Sequence, residues 1–207
     1  MSYYPIFLNL SGQRCLVVGG GAVAERKVAG LLDAEASVTI VSPTLTVELT
    51  RLVKEKKIRH FMRDYRKGDL SGYRLAFVAT DTSQVNRAVY EEAQEVEVFI
   101  NTADDPAHCD FILPSVLRRG KLQVAVATGG TSPALSRAIR EELEQYFTED
   151  YSILSEIVAE LRRELIDKNV SANAETWRGA LDGNVRRMIR EGDVEGAKHY
   201  LRERVGR

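Results

Sequence analysis

The chain has 207 residues, enough for one large domain or one domain with a small appendage. Hydrophobic residues make up 44% and charged residues 29%, which sets aside disordered and fibrous classes. Twenty-nine basic against thirty acidic residues leave a formal charge of −1, which argues against a general nucleic-acid coat.

Read in chain order, the first half alternates apolar runs with helical patterns. Residues 14–18 form a short strand-like run that stops at three glycines. Ala24, Val28, Leu31 and Leu32 then recur with the spacing of an amphipathic helix. Residues 37–41 predict a second strand closed by Ser42-Pro43, and 47–56 a charged helix. Residues 58–63 predict a weaker strand, 75–79 a buried strand, 84–95 a helix and 98–101 a further strand. Such near-continuous apolar strands predict an α/β fold, a parallel sheet covered by helices on both faces.

The pattern changes near residue 104. Asp104-Asp105-Pro106 reads as a loop, residues 111–114 as extended and 115–119 as a brief helical turn. Residues 122–128 alternate as a strand. Ser132 is a suitable N-cap and Pro133 a suitable first helical residue for a helix running to about Phe147. The tail is helical throughout. Trp177, Leu181, Val185 and Met188 predict one core-facing stripe, and Gly192-Asp193 a stop and restart. Three parts follow: 1–112, 113–147 and 148–207. No run of about 18 apolar residues occurs, so no membrane partner is expected. Met1 to Leu10 lacks a basic region and a cleavage site, so no leader is expected. Cys15 and Cys109 read as reduced thiols of a cytoplasmic protein.

Gly19-Gly20-Gly21-Ala22-Val23-Ala24 fits Gly-x-Gly-x-x-Ala between a strand and a helix, the pattern of a dinucleotide site. Gly19 permits the tight turn, Gly21 lets backbone approach a pyrophosphate, and Ala24 lets helix and strand pack closely. The amides opening the helix face the phosphates. The second strand ends Val41-Ser42-Pro43-Thr44 without the acid that normally holds a ribose 2′-hydroxyl, leaving that contact to Ser42 or Thr44. No arginine stands there for a 2′-phosphate, so NAD is preferred to NADP.

Asp104 and Asp105 fall where a strand C-terminus is expected, as proton acceptor, metal ligands or a plain Asp-Pro turn. His108, Cys109 and Asp110 follow without the spacing of a structural zinc site, so no metal is assigned. Thr128, Gly129, Gly130, Thr131 and Ser132 form a second glycine turn opening a helix. It can cradle a carboxylate or phosphate, or simply cap the helix.

Tyr4-Pro5-Ile6-Phe7, the run Cys15 to Gly21 with Val23-Ala24-Glu25-Arg26-Lys27, Ala79-Thr80-Asp81, Asn101-x-x-Asp104 and Gly129-Gly130-Thr131-Ser132-Pro133 together resemble the precorrin-2 dehydrogenase family of sirohaem synthesis. The resemblance spans essentially the whole chain. It implies a Rossmann domain over 1–112, a small α+β dimerisation segment over 113–147, a helical domain over 148–207, and a homodimer. It also implies oxidation of precorrin-2 to sirohydrochlorin with NAD, and no fused methyltransferase domain. Carried over residue by residue, Asp104 is the catalytic aspartate, and cofactor contacts fall on Ala22, Val23, Pro43 and Thr44. Thr128 stands where relatives place a serine. Some relatives also insert iron, so a bifunctional enzyme is an alternative; a non-catalytic nucleotide-sensing module is another.

Overall fold

The computed structural model describes residues 3–206. Met1 and Ser2, where the stretch read for a leader begins, and Arg207 lie outside the described residues. The chain divides into two compact units, one ending at Leu113 and the next beginning at Pro114.

The first unit is built on five parallel strands: β1 (Arg14–Val18), β2 (Ser37–Val41), β3 (Arg59–Phe61), β4 (Leu75–Val78) and β5 (Phe99–Thr102). Their order is β3-β2-β1-β4-β5. Successive side chains on β1 serve opposite faces, as the two-residue strand period requires. Cys15 and Val17 pack with Ala24, Val28 and Leu31 of α1 (Ala22–Asp33) and Leu49 of α2 (Val47–Lys54). Leu16 and Val18 pack with Val89 and Ala93 of α3 (Ser83–Val96). Burial on both faces explains the unbroken apolar runs of these strands.

The register sets one edge flush. Val18 pairs with both Val41 and Val78, and Val78 pairs with Thr102. The residues following β1, β2, β4 and β5 therefore emerge along a single edge. Between β1 and β4 the connections depart to opposite faces, α1 to one and α3 to the other. This is the switch point at which such sheets bind ligands. The α/β class and Rossmann-like parallel sheet expected above are those observed.

The second unit opens with an antiparallel hairpin, β6 (Ser115–Arg119) and β7 (Leu122–Val126). This corrects the expected helical turn over 115–119. Gly120 (φ 55°) takes the first central position of a two-residue turn, where a type II′ hairpin places glycine, and Arg119 pairs with Leu122 across it. Helix α4 (Pro133–Tyr146) follows. Helices α5 (Asp150–Asp167), α6 (Ala174–Ala180), α7 (Gly183–Arg190) and α8 (Val194–Val205) then close around Leu154, Ile157, Leu161, Val185, Ile189 and Leu201.

A second correction falls here. The stripe from Trp177 to Met188 is two helices, not one. Asp182 accepts from the amides of Asn184 and Val185 and starts α7 afresh, which leaves Leu181 41% exposed and outside the core. At Gly192-Asp193 the restart is present: Gly192 is left-handed (φ 86°) and Asp193 accepts from the Gly196 amide. Among the described residues no helix is long and apolar enough to cross a membrane, and both cysteines are free.

Candidate functional site

The three glycines after β1 have three different reasons to be glycine. Gly19 is left-handed (φ 116°), and a Cβ on it would stand 2.1 Å from the Ala79 carbonyl oxygen. A Cβ on Gly20 would stand 1.9 Å from the Thr44 carbonyl oxygen, so this middle glycine, unassigned by the motif, is required by packing against the β2 turn. Gly21 is different. Its backbone is ordinary (φ −85°), and a Cβ there would meet nothing within 4 Å. No neighbour in the chain demands a glycine at 21, which fits a position kept bare for a bound group.

Gly21 is also the N-cap of α1, and no side chain caps that helix. Thr46, Ser132, Asn173, Asp182 and Asp193 cap α2, α4, α6, α7 and α8 through side-chain oxygens, whereas α3 and α5, like α1, have no side-chain cap; of these three starts only that of α1 opens from a bare glycine directly after the central strand. The first amides of α1, at Ala22 and Val23, thus keep the unsatisfied donors of a helix start, with the positive end of the dipole behind them. An uncapped start, a bare Cβ position and a sheet switch point together fit a pyrophosphate.

Pro43 and Thr44 lie exposed at the end of β2, on the same edge. Ser42 is buried, and its hydroxyl donates to the Thr44 carbonyl at 2.7 Å. Of the two residues considered for a ribose hydroxyl, only Thr44 is presented outward.

Asp104 follows β5 on this edge. It is exposed and left-handed (φ 57°), a conformation that aspartate tolerates better than most residues. Its carboxylate has no hydrogen-bond or ion-pair partner among the described residues. The turn beneath it is tightly held. Thr102 Oγ1 donates to the His108 carbonyl at 3.0 Å, and the Cys109 sulfur accepts from the Thr102 amide at 3.2 Å. Asp105 pairs with His108 Nδ1 at 2.6 Å, and the His108 ring stands edge-on to Tyr90 at 4.5 Å. Asp110 accepts from the Ile100 amide at 2.9 Å. Asp105, His108, Cys109 and Asp110 are therefore engaged in building the turn. Burial raises the Cys109 thiol pKa, against the Thr102 amide bond that lowers it.

Two residues given no role in the sequence reading sit behind Asp104. Asn101 is buried on β5 and accepts from Lys27 Nζ of α1 at 3.2 Å, while its amide donates to the Phe111 carbonyl at 2.9 Å. Burial pulls the Lys27 pKa down. Cys109 opposes that pull, Arg26 adds to it, and Asp104 opposes it. Spacing offers no signal for this contact, because it joins residues 74 positions apart.

In the second unit, Thr128 to Thr131 form a tight turn with Gly129 (φ 62°) and Gly130 (φ 81°) both left-handed and the Thr131 amide on the Thr128 carbonyl at 3.1 Å. The Thr128 hydroxyl donates to the Ser132 carbonyl, accepts from the Ser132 amide and lies 3.1 Å from the buried Ser136 hydroxyl. Ser132 caps α4 by accepting from Leu135. The Thr128 and Ser132 side chains thus shape the turn, while Gly129, Gly130 and Thr131 are its exposed residues. A cavity of about 650 Å³ between α6 and α8, lined by residues including Thr176, Tyr200 and Arg204, contains no residue of either glycine turn.

Comparison with known proteins agrees with this geometry. Residues 6–115 match the family described as putative NAD(P)-binding, and residues 119–146 match the sirohaem biosynthesis protein central segment. The chain is 38% identical to a siroheme synthase of Methylobacillus flagellatus, over 98% of this chain and 44% of that protein. It is also 38% identical to a siroheme synthase of Nitrosococcus oceani, over 97% of this chain and 43% of that protein. It spans less than half the length of these curated relatives. A solved structure titled SirC, precorrin-2 dehydrogenase, superimposes with a TM-score of 0.79 at 26% identity, covering 97% of this chain and all of that one. By the match over more than half its length, the chain belongs to the putative NAD(P)-binding family.

Proposed function

We propose that the chain is an NAD-dependent oxidoreductase converting precorrin-2 to sirohydrochlorin. The observation that carries this reading is Gly21, a glycine that the protein's own packing does not require, at the uncapped start of α1 and on the binding edge of the sheet. The whole-length likeness to a protein titled a precorrin-2 dehydrogenase supplies the substrate class.

Bound NAD supplies the hydride acceptor. Gly21 and the amides of Ala22 and Val23 would hold the pyrophosphate, Gly19, its own amide bonded to the Val41 carbonyl, shapes the turn beneath it, and Pro43 and Thr44 would meet the adenosine ribose. Dehydrogenation also releases a proton, and Asp104, an unpaired carboxylate on the same edge, receives it. In the Thr128–Ser132 turn, where Thr128 and Ser132 hold the shape and the Thr131 amide is already bonded, the exposed backbone amides of Gly129 and Gly130 are the donors for the substrate's carboxylates. Residues 1–112 are the cofactor domain, 113–147 a dimerisation segment and 148–207 a helical domain, in a cytoplasmic homodimer.

The test is turnover by the purified chain given precorrin-2 and NAD. NADH absorbance and the sirohydrochlorin spectrum rise in equal molar amounts, faster with NAD than with NADP. Absence of both signals from a folded, NAD-binding protein refutes the reading.

A further inference from the structure

Lys27 is a lysine without an ordinary surface role. It lies half-buried on α1, with its Nζ 5.6 Å from the centre of the Phe77 ring and 3.2 Å from Asn101 Oδ1. Lys57, Lys67 and Lys198 each reach a carboxylate within ion-pair distance; Lys27 reaches none among the described residues. Its partner is a neutral amide, which takes one of the three donors of an ammonium. Holding a cation half out of water for one amide bond is a poor source of stability.

The partner explains the placement. Asn101 is the third residue of β5, two positions before the turn that begins at Ala103, and its side chain is shared three ways. Oδ1 accepts from Lys27, and Nδ2 donates to the Phe111 carbonyl and faces the Cys109 sulfur at 3.6 Å. Asn101 also bridges to Cys109 through the backbone. One side chain therefore ties together α1, the end of β5 and the segment returning from the Asp104 turn. Lys27 is the link on the α1 side, and α1 is the helix whose start faces the pyrophosphate.

We propose that Lys27 is a positioning residue that, through Asn101, fixes the Asp104 turn to the cofactor-binding helix. This rests on the reading of Asp104 as the proton acceptor. The helix that receives the dinucleotide and the acid that receives the proton are then held as one rigid piece, and the ammonium keeps a positive charge within the field of Asp104. Removing Lys27 leaves the dinucleotide site intact and loosens the acid.

The experiment compares wild type with Lys27→Met, which keeps an unbranched side chain of similar length but neither donor nor charge, and with Lys27→Arg, which keeps both. Two readouts are taken: hydrogen exchange of the amides from Thr102 to Cys109, and steady-state kinetics with precorrin-2 and NAD. In Lys27→Met exchange in that turn accelerates while the rest of the sheet is unchanged. There kcat falls about 10- to 100-fold, the loss typical of a misplaced group, and KM for NAD stays within about twofold. Lys27→Arg recovers most of kcat. Unchanged exchange in the turn, an unchanged kcat, or a loss appearing in the KM for NAD alone overturns the proposal. If wild type does not oxidise precorrin-2, the reading of function fails and the exchange data alone decide the Lys27 link. Lys27→Gln takes the place of Lys27→Met if the latter does not fold.

Discussion

Gly21→Ala separates folding from binding. At this position φ is −85° and the new methyl meets no atom within 4 Å, so neither strain nor clash is introduced. Alanine is a poorer N-cap than glycine, by about 0.5–1 kcal/mol. The stiffer unfolded chain returns about 0.4–1 kcal/mol. The two effects offset each other, and the melting temperature stays within a few degrees. Binding is another matter, because the methyl stands over the amides assigned to the pyrophosphate. Loosening a single charge-assisted hydrogen bond costs about 1.5–3 kcal/mol. At about 1.4 kcal/mol per tenfold, Kd for NAD rises about 10- to 100-fold. The neighbouring substitutions behave in the opposite way. Gly19→Ala and Gly20→Ala place a methyl about 2 Å from backbone carbonyl oxygens, and the strain lowers the melting temperature of the first unit sharply. Thermal melts and titration calorimetry with NAD measure both quantities. A Gly21→Ala protein that binds NAD as well as wild type, or that melts as early as Gly20→Ala, refutes the reasoning.

Asp104→Asn keeps a residue that tolerates the left-handed backbone, so the turn persists and NAD binding is unchanged. Precorrin-2 oxidation falls at least about 100-fold, the typical share of a general base, as followed by NADH absorbance. Glu92, 3% exposed, accepts from Tyr65 Oη at 2.6 Å and from the amides of Gly68 and Leu70; Glu92→Ala strands these donors and costs about 3–5 kcal/mol in urea unfolding. Asp182→Ala removes the α7 cap and the tie to Tyr200 Oη at 2.6 Å, lowering stability by about 1–2 kcal/mol in the same assay. Burial raises the Asp150 pKa, but the Thr148 hydroxyl and the Arg186 guanidinium at 2.8 Å outweigh it and hold the carboxyl below its ordinary range. Its folded pKa lies under the unfolded value of about 3.9, so its stabilisation is complete above that pH and fades as pH falls below it. In Asp150→Asn that part of the acid-unfolding curve flattens, as monitored by circular dichroism.

The parallel sheet was readable because burial on both faces writes itself into the strands. The runs at 14–18 and 37–41 coincide with β1 and β2. The hairpin was not, because two arginines and a short apolar run at 115–119 suit a helical turn as well as a strand, and only pairing with 122–126 decides between them. The break at Leu181 was hidden for a similar reason. Helical spacing continued across it, while the cap at Asp182 overrode that spacing locally. In the site, motif logic reached the residues that a chain signals locally: glycines before a helix and an acid after a strand. It gave no reason for Gly20, whose neighbour is the Thr44 carbonyl, nor a role for Asn101 and Lys27, which meet only once α1 lies on the sheet.

The bare start of α1 makes the protein's resistance to heat depend on metabolite supply. A helix without a side-chain cap is a soft point of the free chain, and an anion settling on its amides firms it in the folded state only. By mass action, dinucleotide at a hundred times its Kd adds about 2.7 kcal/mol to unfolding. The dinucleotide-bound form then unfolds at a higher temperature than the free chain, by an amount that grows with nucleotide concentration.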